Sequence, residues 1–235
     1  MNTENLRKEL DSNGVYASTQ VNYGLRSGNV KFQEGGLSLR LDFLSDLNKS
    51  FIISSFNYKD NNKKIIDRNG FVHLRSSFFR KNLFKPELLF QLEFDEFRKL
   101  SERFLAGANI RYDLNLHDSS SIFTNLKLSF GTGIFYENEI LAEDIIYKSY
   151  IWRHNNFLTL DYVINNSVSL RTVTYAQYDF FNIEDIRLLN ESALLFNINK
   201  VLQFTFSINY RFDNQPADQV ESTDLYIKNG LRINL

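Results

Sequence analysis

Nine charged residues recur in opposed sets along this chain of 235 residues: Asp95 with Arg103, Glu137 with Arg153, Asp179 with Arg187, and Arg211 with Asp213 and Asp224. Each set flanks a polar loop, so the two signs fall on neighbouring segments. Opposed charges on adjacent segments stabilise their pairing and spare each other the cost of losing water. One reading is a ladder of ion pairs that props and partly fills an interior. The other is a constriction that sorts small polar or ionic solutes. Other chemistry finds less support. The chain has no Cys, which removes disulfides, thiolate catalysis and Cys-type metal sites together. His73 and His117 stand alone, without metal-ligand spacing. Arg26-Ser27-Gly28-Asn29 and Gly131-Thr132-Gly133 are not phosphate loops, since the first reads as a tight turn and the second lies inside an extended run. No metal or cofactor is expected. A net charge of −1 gives nucleic acid no basic face to bind.

The segments that carry these charges alternate. Leu202, Phe204, Phe206, Ile208, Tyr210 and Phe212 are interleaved with Gln203, Thr205, Ser207, Asn209, Arg211 and Asp213. A side-chain period of two over such a run is an extended strand with one apolar and one wet face. About twelve stripes of this kind are predicted along the chain. They begin with Gly14 to Gly24 and Leu37 to Phe43, and end with Ile186 to Ile198, Leu202 to Asp213 and Glu221 to Leu235. Pro86 opens one of them, where a missing amide is tolerated. Turns are expected near 46–49, 81–85, 115–120, 164–167 and 199–200 on one side. Loops are expected near 25–29, 60–67, 97–101, 138–146, 180–184 and 214–220 on the other. Residues 1–12 carry an N-cap candidate and mixed charge, and read as a separate N-terminal segment on the periplasmic side ahead of a single domain over 13–235.

Three features favour lipid over a soluble core. The stripes run about 10 to 15 residues, against about five or six for an ordinary strand. The wet face carries Arg75, Glu93, Arg111, Lys127, Asp161, Arg171 and Glu191 in mid-strand, which suits a hydrated lumen. Closure into a barrel is also how many strands sit in hydrocarbon without an unpaired edge. With 22 Phe and 12 Tyr, the chain has aromatic residues enough for girdles at two interfaces. The expected fold is an all-β, antiparallel, up-and-down transmembrane barrel of about 12 strands. A soluble barrel that binds a small apolar ligand is the remote alternative. Met1-Asn2-Thr3-Glu4 has neither a basic nor an apolar leader region, so a barrel of this kind is expected to have had its signal peptide removed.

On that topology His154 and Asn156 share the lipid face with Trp152. A His and an Asn so placed are two parts of the triad of outer-membrane phospholipases, which add a Ser nucleophile. Ser149 falls on the opposite parity, and the neighbouring outward positions carry Thr132, Ile134, Thr172 and Thr174. Without an oriented nucleophile the triad fails, so no catalytic residue is assigned and the chain is read as a non-enzyme. Gly107, Gly131 and Gly133 are expected to make room for bulky lumen neighbours or to allow strand coiling.

Several stretches resemble a family of bacterial outer-membrane barrels of unknown function that includes the YdiY-like "salt-induced outer membrane proteins". They are Arg103-Phe104-Leu105-Ala106-Gly107-Ala108-Asn109-Ile110-Arg111-Tyr112, Gly131-Thr132-Gly133-Ile134-Phe135-Tyr136-Glu137, Trp152-Arg153, Tyr175-Ala176-Gln177-Tyr178-Asp179, Glu191, Tyr210-Arg211-Phe212-Asp213 and Thr223-Asp224. The resemblance spans residues 70 to 235 and implies an outer-membrane barrel without supplying a substrate or catalytic residue. Lys228, Gly230, Ile233 and Leu235 are similar to the terminal signal by which the outer-membrane assembly machinery recognises its substrates, although an aromatic ends that signal more often than Leu. The expected partners are therefore outer-membrane lipid, that machinery during insertion, and other outer-membrane proteins. The expected function is a narrow channel for small polar or ionic solutes, or else a closed structural or interaction barrel within an outer-membrane complex.

Overall fold

A computed structural model describes Glu4, Arg7, Leu10 and residues 12–27, 31–61, 64–116, 125–142, 147–199 and 202–233. Most of the N-terminal segment, the turn residues Gly28 and Asn29, residues 143–146 of the long loop, His117 and Leu235 lie outside the described residues.

Alternation of apolar and polar side chains over long runs makes every regular element a strand. These are β1 (Gly14–Arg26), β2 (Phe32–Leu44), β3 (Lys49–Asn61), β4 (Lys64–Ser77), β5 (Phe84–Asp95), β6 (Leu100–Leu116), β7 (Leu126–Leu141), β8 (Tyr147–Asn165), β9 (Val168–Asp179), β10 (Ile186–Asn197), β11 (Leu202–Asp213) and β12 (Thr223–Ile233). They form one sheet in sequence order, and each neighbour pair is antiparallel. The fold is thus the expected twelve-stranded up-and-down meander. Several strands outrun their sequence stripes, β8 reaching 19 residues. The loop expected over 60–67 is mostly strand, because the β3–β4 hairpin continues past a bulge at Lys59/Asp60 to pair Asn61 with Lys64.

Burial is inverted relative to a soluble protein. Arg40, Asp42, Arg75, Glu87, Glu93, Arg103, Glu137 and Arg153 are buried on the inner face, whereas Leu37, Leu39, Leu41, Phe43, Leu88, Phe90, Leu92 and Phe130 are exposed on the outer face. An apolar exterior around a charged interior is the arrangement of a transmembrane barrel. Aromatic pairs stand near both ends of the outer surface: Tyr136 against Trp152, with ring centroids 5.5 Å apart, and Phe84 against Tyr112, 5.1 Å apart. Such rings suit the two membrane interfaces. Among the described residues no ladder joins β1 to β12, and β1 is exposed along almost its whole length. An unpaired edge is untenable in hydrocarbon, where each unsatisfied backbone group costs several kcal/mol. This seam must be covered in the bilayer.

The interior is packed by large side chains set against small ones. Phe157, Val173 and Tyr175 form a buried cluster with Leu189 beside it, and the Arg111 guanidinium lies 5.5 Å from the Phe157 ring centroid. Phe157 lies so close to Gly131 that a Cβ there would fall 2.0 Å from its ring. Gly107 and Gly133 lie against the backbone of their partner strands: a Cβ on Gly133 would stand 2.2 Å from the Ala108 carbonyl oxygen. The three glycines therefore make room for neighbours, as their positions in apolar–polar stripes implied.

Candidate functional site

Two ionic clusters occupy opposite halves of the lumen. The outer one is built where β7, β8 and β10 approach the outer loops. Arg153 is fully buried (0% exposed). Its Nε donates to Glu137 at 2.9 Å, and its two terminal nitrogens donate to the two oxygens of Asp185 at 2.9 and 2.8 Å. Arg187 reaches across to the same Glu137 at 2.9 Å and to Glu139 at 3.1 Å, and its Nε lies 2.8 Å from Asp213. Two guanidiniums thus share one buried carboxylate and are flanked by three more. A bidentate Arg–carboxylate pair fixes planar geometry as well as charge.

The sequence pairs are partly re-partnered. Glu137 does meet Arg153, and Arg211 lies 3.5 Å from Asp213 while facing Asp224 across the β11–β12 ladder. Arg187, expected beside Asp179, bonds instead to Glu137 and Glu139, while Asp179 accepts a hydrogen bond from the Phe181 backbone at 2.9 Å and so caps its loop. Asp95 does not pair with Arg103. It closes the β5–β6 turn by holding the Arg98 side chain at 2.5 Å, and Arg103 pairs with Glu93. The regular β5–β6 register explains the exchange: it sets Glu93 opposite Arg103, while Asp95, beyond a bulge, faces Leu100 at the turn. Asp185 and Glu139 were missed. Asp185 shares parity with Arg187, and that signal could have found it.

The second cluster was not legible at all. Glu4 and Arg7 sit in the other half of the lumen, where the Arg7 amide donates to the Glu4 carbonyl at 3.0 Å. The Glu4 carboxylate meets Arg75 of β4 and Arg111 of β6 as well as Arg7 at 2.8 Å. Arg7 extends to Glu87 at 2.5 Å and to Ser77 at 3.2 Å. Burial works to raise the Glu4 carboxyl, but the guanidiniums of Arg7, Arg75 and Arg111 overcome it and hold the group far below the usual carboxylate range. A depressed carboxyl lends stability that is complete above its unfolded value and lost only as pH falls through the folded one. Protection of the N-terminal segment from protease in reconstituted vesicles is therefore expected to be the same at pH 5 as at pH 8. Release at pH 5 would contradict this ion-pair arrangement.

The lumen opens at both ends. An outer vestibule of about 730 Å3 lies between the β3–β5 and β10–β12 walls, lined among others by Asp67, Asp95, Glu191 and Arg211. A second vestibule of about 410 Å3, at the opposite end, lies around Glu4, Lys85, Lys127 and Thr159.

On the lipid face, Thr132, His154 and Asn156 form a closed ring. The Asn156 amide donates to His154 Nδ1 at 2.9 Å, Thr132 donates to Asn156 Oδ1 at 3.0 Å, and His154 Nε2 lies 3.4 Å from Thr132 Oγ1. With Nδ1 accepting, Nε2 carries the proton, so the imidazole is not set to take one from Thr132. The ring instead satisfies its own polar groups in an apolar setting. His154→Leu is expected to cost about 1–3 kcal/mol in urea unfolding from lipid vesicles, by leaving Asn156 and Thr132 short of partners. An unchanged midpoint would show that the ring is not closed.

The family described as "Protein of unknown function, DUF481" matches residues 11–234. No curated protein matches the sequence. Among solved structures the chain is similar to the NanC porin in its rhombohedral crystal form, with a TM-score of 0.47 and 11% identity over 93% of this chain and 100% of that one.

Proposed function

This chain belongs to the DUF481 family, and for it we propose a narrow outer-membrane channel that passes small polar or ionic solutes. The observation that carries this reading is the pair of vestibules at opposite ends of the lumen, both lined by charged side chains. Ionic walls of this kind replace part of a solute's hydration and sort solutes by charge. The inner charges are the groups that serve such a path, and the lipid-facing ring fits a non-enzyme. The assembly machinery remains the proposed partner for β12, which carries Lys228, Gly230 and Ile233.

A second reading, a closed interaction barrel within an outer-membrane complex, draws on the complete burial of Arg153 and on the edges of β1 and β12, which no ladder joins among the described residues. Swelling of vesicles loaded with the protein separates the two. A channel admits glycine or a pentose faster than protein-free vesicles do; identical rates favour the closed barrel. The seam gives an independent check. Since the chain has no Cys, pairs of cysteines at Ser18 or Gln20 against Asp224, Tyr226 or Lys228 can be introduced without background. One pair is expected to cross-link in the membrane as β1 and β12 close the wall. If none does, another chain covers the edges.

A further inference from the structure

The vestibule around Glu4 is lined by seven Arg or Lys side chains and only three carboxylates. One of those three is Glu4, which lies outside the twelve strands. The outer vestibule has no such excess, with Lys59, Arg98 and Arg211 against four carboxylates. Positive charge is thus concentrated at one end of the lumen. Walls of low dielectric focus that field into the cavity and raise the local concentration of anions.

Glu4 marks where the field converges. Its two carboxylate oxygens are held separately, one by Arg75 and the other by Arg111, and the wall guanidiniums are 3% and 11% exposed. Arg75 and Arg111 stand on β4 and β6, so a single oxyanion bridges strands that are not neighbours. Guanidinium forks match the oxygens of carboxylate and phosphate. The geometry points to an anion site formed by Arg75 and Arg111, where a small carboxylate- or phosphate-bearing solute exchanges with Glu4, the chain's own occupant and plug. This inference rests on the reading of the lumen as a solute path and adds the class of solute.

The exchange leaves few charges stranded. Arg7 is bonded to Glu4 at 2.8 Å and leaves with it as a pair. Glu87 stays 3.5 Å from Arg75 and keeps its hydrogen bond from Ser77 at 2.7 Å, while Arg111 keeps Asp113 at 2.6 Å. The incoming oxyanion supplies what Glu4 gave up.

Thr159 lines the same vestibule, and Thr159→Cys creates a single thiol in a chain that has none. The full chain is reconstituted in vesicles, with and without Glu4→Gln. Its labelling is then timed with methanethiosulfonate reagents bearing either a sulfonate or a trimethylammonium group. Glu4→Gln is expected to speed the sulfonate reagent about tenfold or more, and the cationic reagent much less. Inorganic phosphate is expected to slow the sulfonate reagent, and Arg111→Gln in the same background to remove that protection. Equal acceleration of the two reagents would overturn the proposal. So would labelling indifferent to phosphate, or a thiol that stays unreactive to both reagents when Glu4 is neutralised. Because the readout needs no current, a barrel that fails to conduct but shows this charge preference refutes the channel and leaves the anion site standing.

Discussion

Arg153→Met lowers the stability of the folded barrel by about 3–5 kcal/mol, measured as the shift in urea midpoint in lipid vesicles. The guanidinium is fully buried and makes three hydrogen bonds, one to Glu137 and two to Asp185. Methionine keeps much of the volume, so packing loss is small and the cost is electrostatic. Asp185 loses both of these bonds and is left with the longer-range attraction of Arg187. Glu137 suffers less, because Arg187 still holds it at 2.9 Å. Asp185→Leu in the same chain should therefore recover much of the loss, since an apolar replacement of both partners is often neutral. The half-exposed pair Arg171–Asp161, 3.2 Å apart and 43% exposed on each side, provides the contrast. Solvent screens it, and Asp161→Ala is expected to cost at most about 1 kcal/mol. Equal effects at Asp161 and Arg153 would mean that water reaches the outer cluster, and the packed wall around Arg153 would be wrong.

Gly133→Ala is the next most damaging change, with an expected loss of about 1–3 kcal/mol from overpacking. The added Cβ would meet the Ala108 carbonyl oxygen at 2.2 Å and the Asn109 Cα at 2.6 Å. These are backbone atoms in a continuous ladder, where Asn109 faces Gly133 and Ala108 faces Ile134. A flexible side chain could swing away; a ladder can yield only by bulging or shifting register. Gly131→Ala meets the Phe157 ring instead, at 2.0 Å, but that ring is boxed in by Tyr175 at 5.7 Å between centroids. Gly35→Ala has nothing within 4 Å and is expected to leave the midpoint unchanged. If Gly133→Ala behaves like Gly35→Ala, the β6 and β7 backbones are farther apart than described.

Strands were legible because a period of two leaves an unmistakable stripe. From Leu202 to Asp213 the stripe and the strand coincide. The stripe fades at the start of β4, where Lys64, Asp67 and Arg68 interrupt it, and that stretch reads as loop from sequence. Parity assigns a face, and Arg103, Glu137, Arg153, Arg187 and Asp213 are buried on the inner one. Their partners were not legible in the same way. The β5–β6 register sets Arg103 opposite Glu93 rather than Asp95, and Arg187 is long enough to pass Asp179 for Glu137. The N-terminal contacts were beyond reach. Glu4 lies 71 residues from Arg75 and 107 from Arg111, and no periodicity links a short charged segment to the lumen it enters. Contacts across a barrel are set by its curvature, which a single sequence pattern does not encode.

Single-channel recording of the purified protein in a planar bilayer, under a salt gradient, tests the central claim most directly. Wild-type protein is expected to give discrete steps with a reversal potential displaced from zero, and Glu4→Gln to give longer or larger ones as the plug is released. Silence from both, in samples whose heat-modifiable gel mobility shows a folded barrel, would contradict the channel and leave the closed interaction barrel in its place.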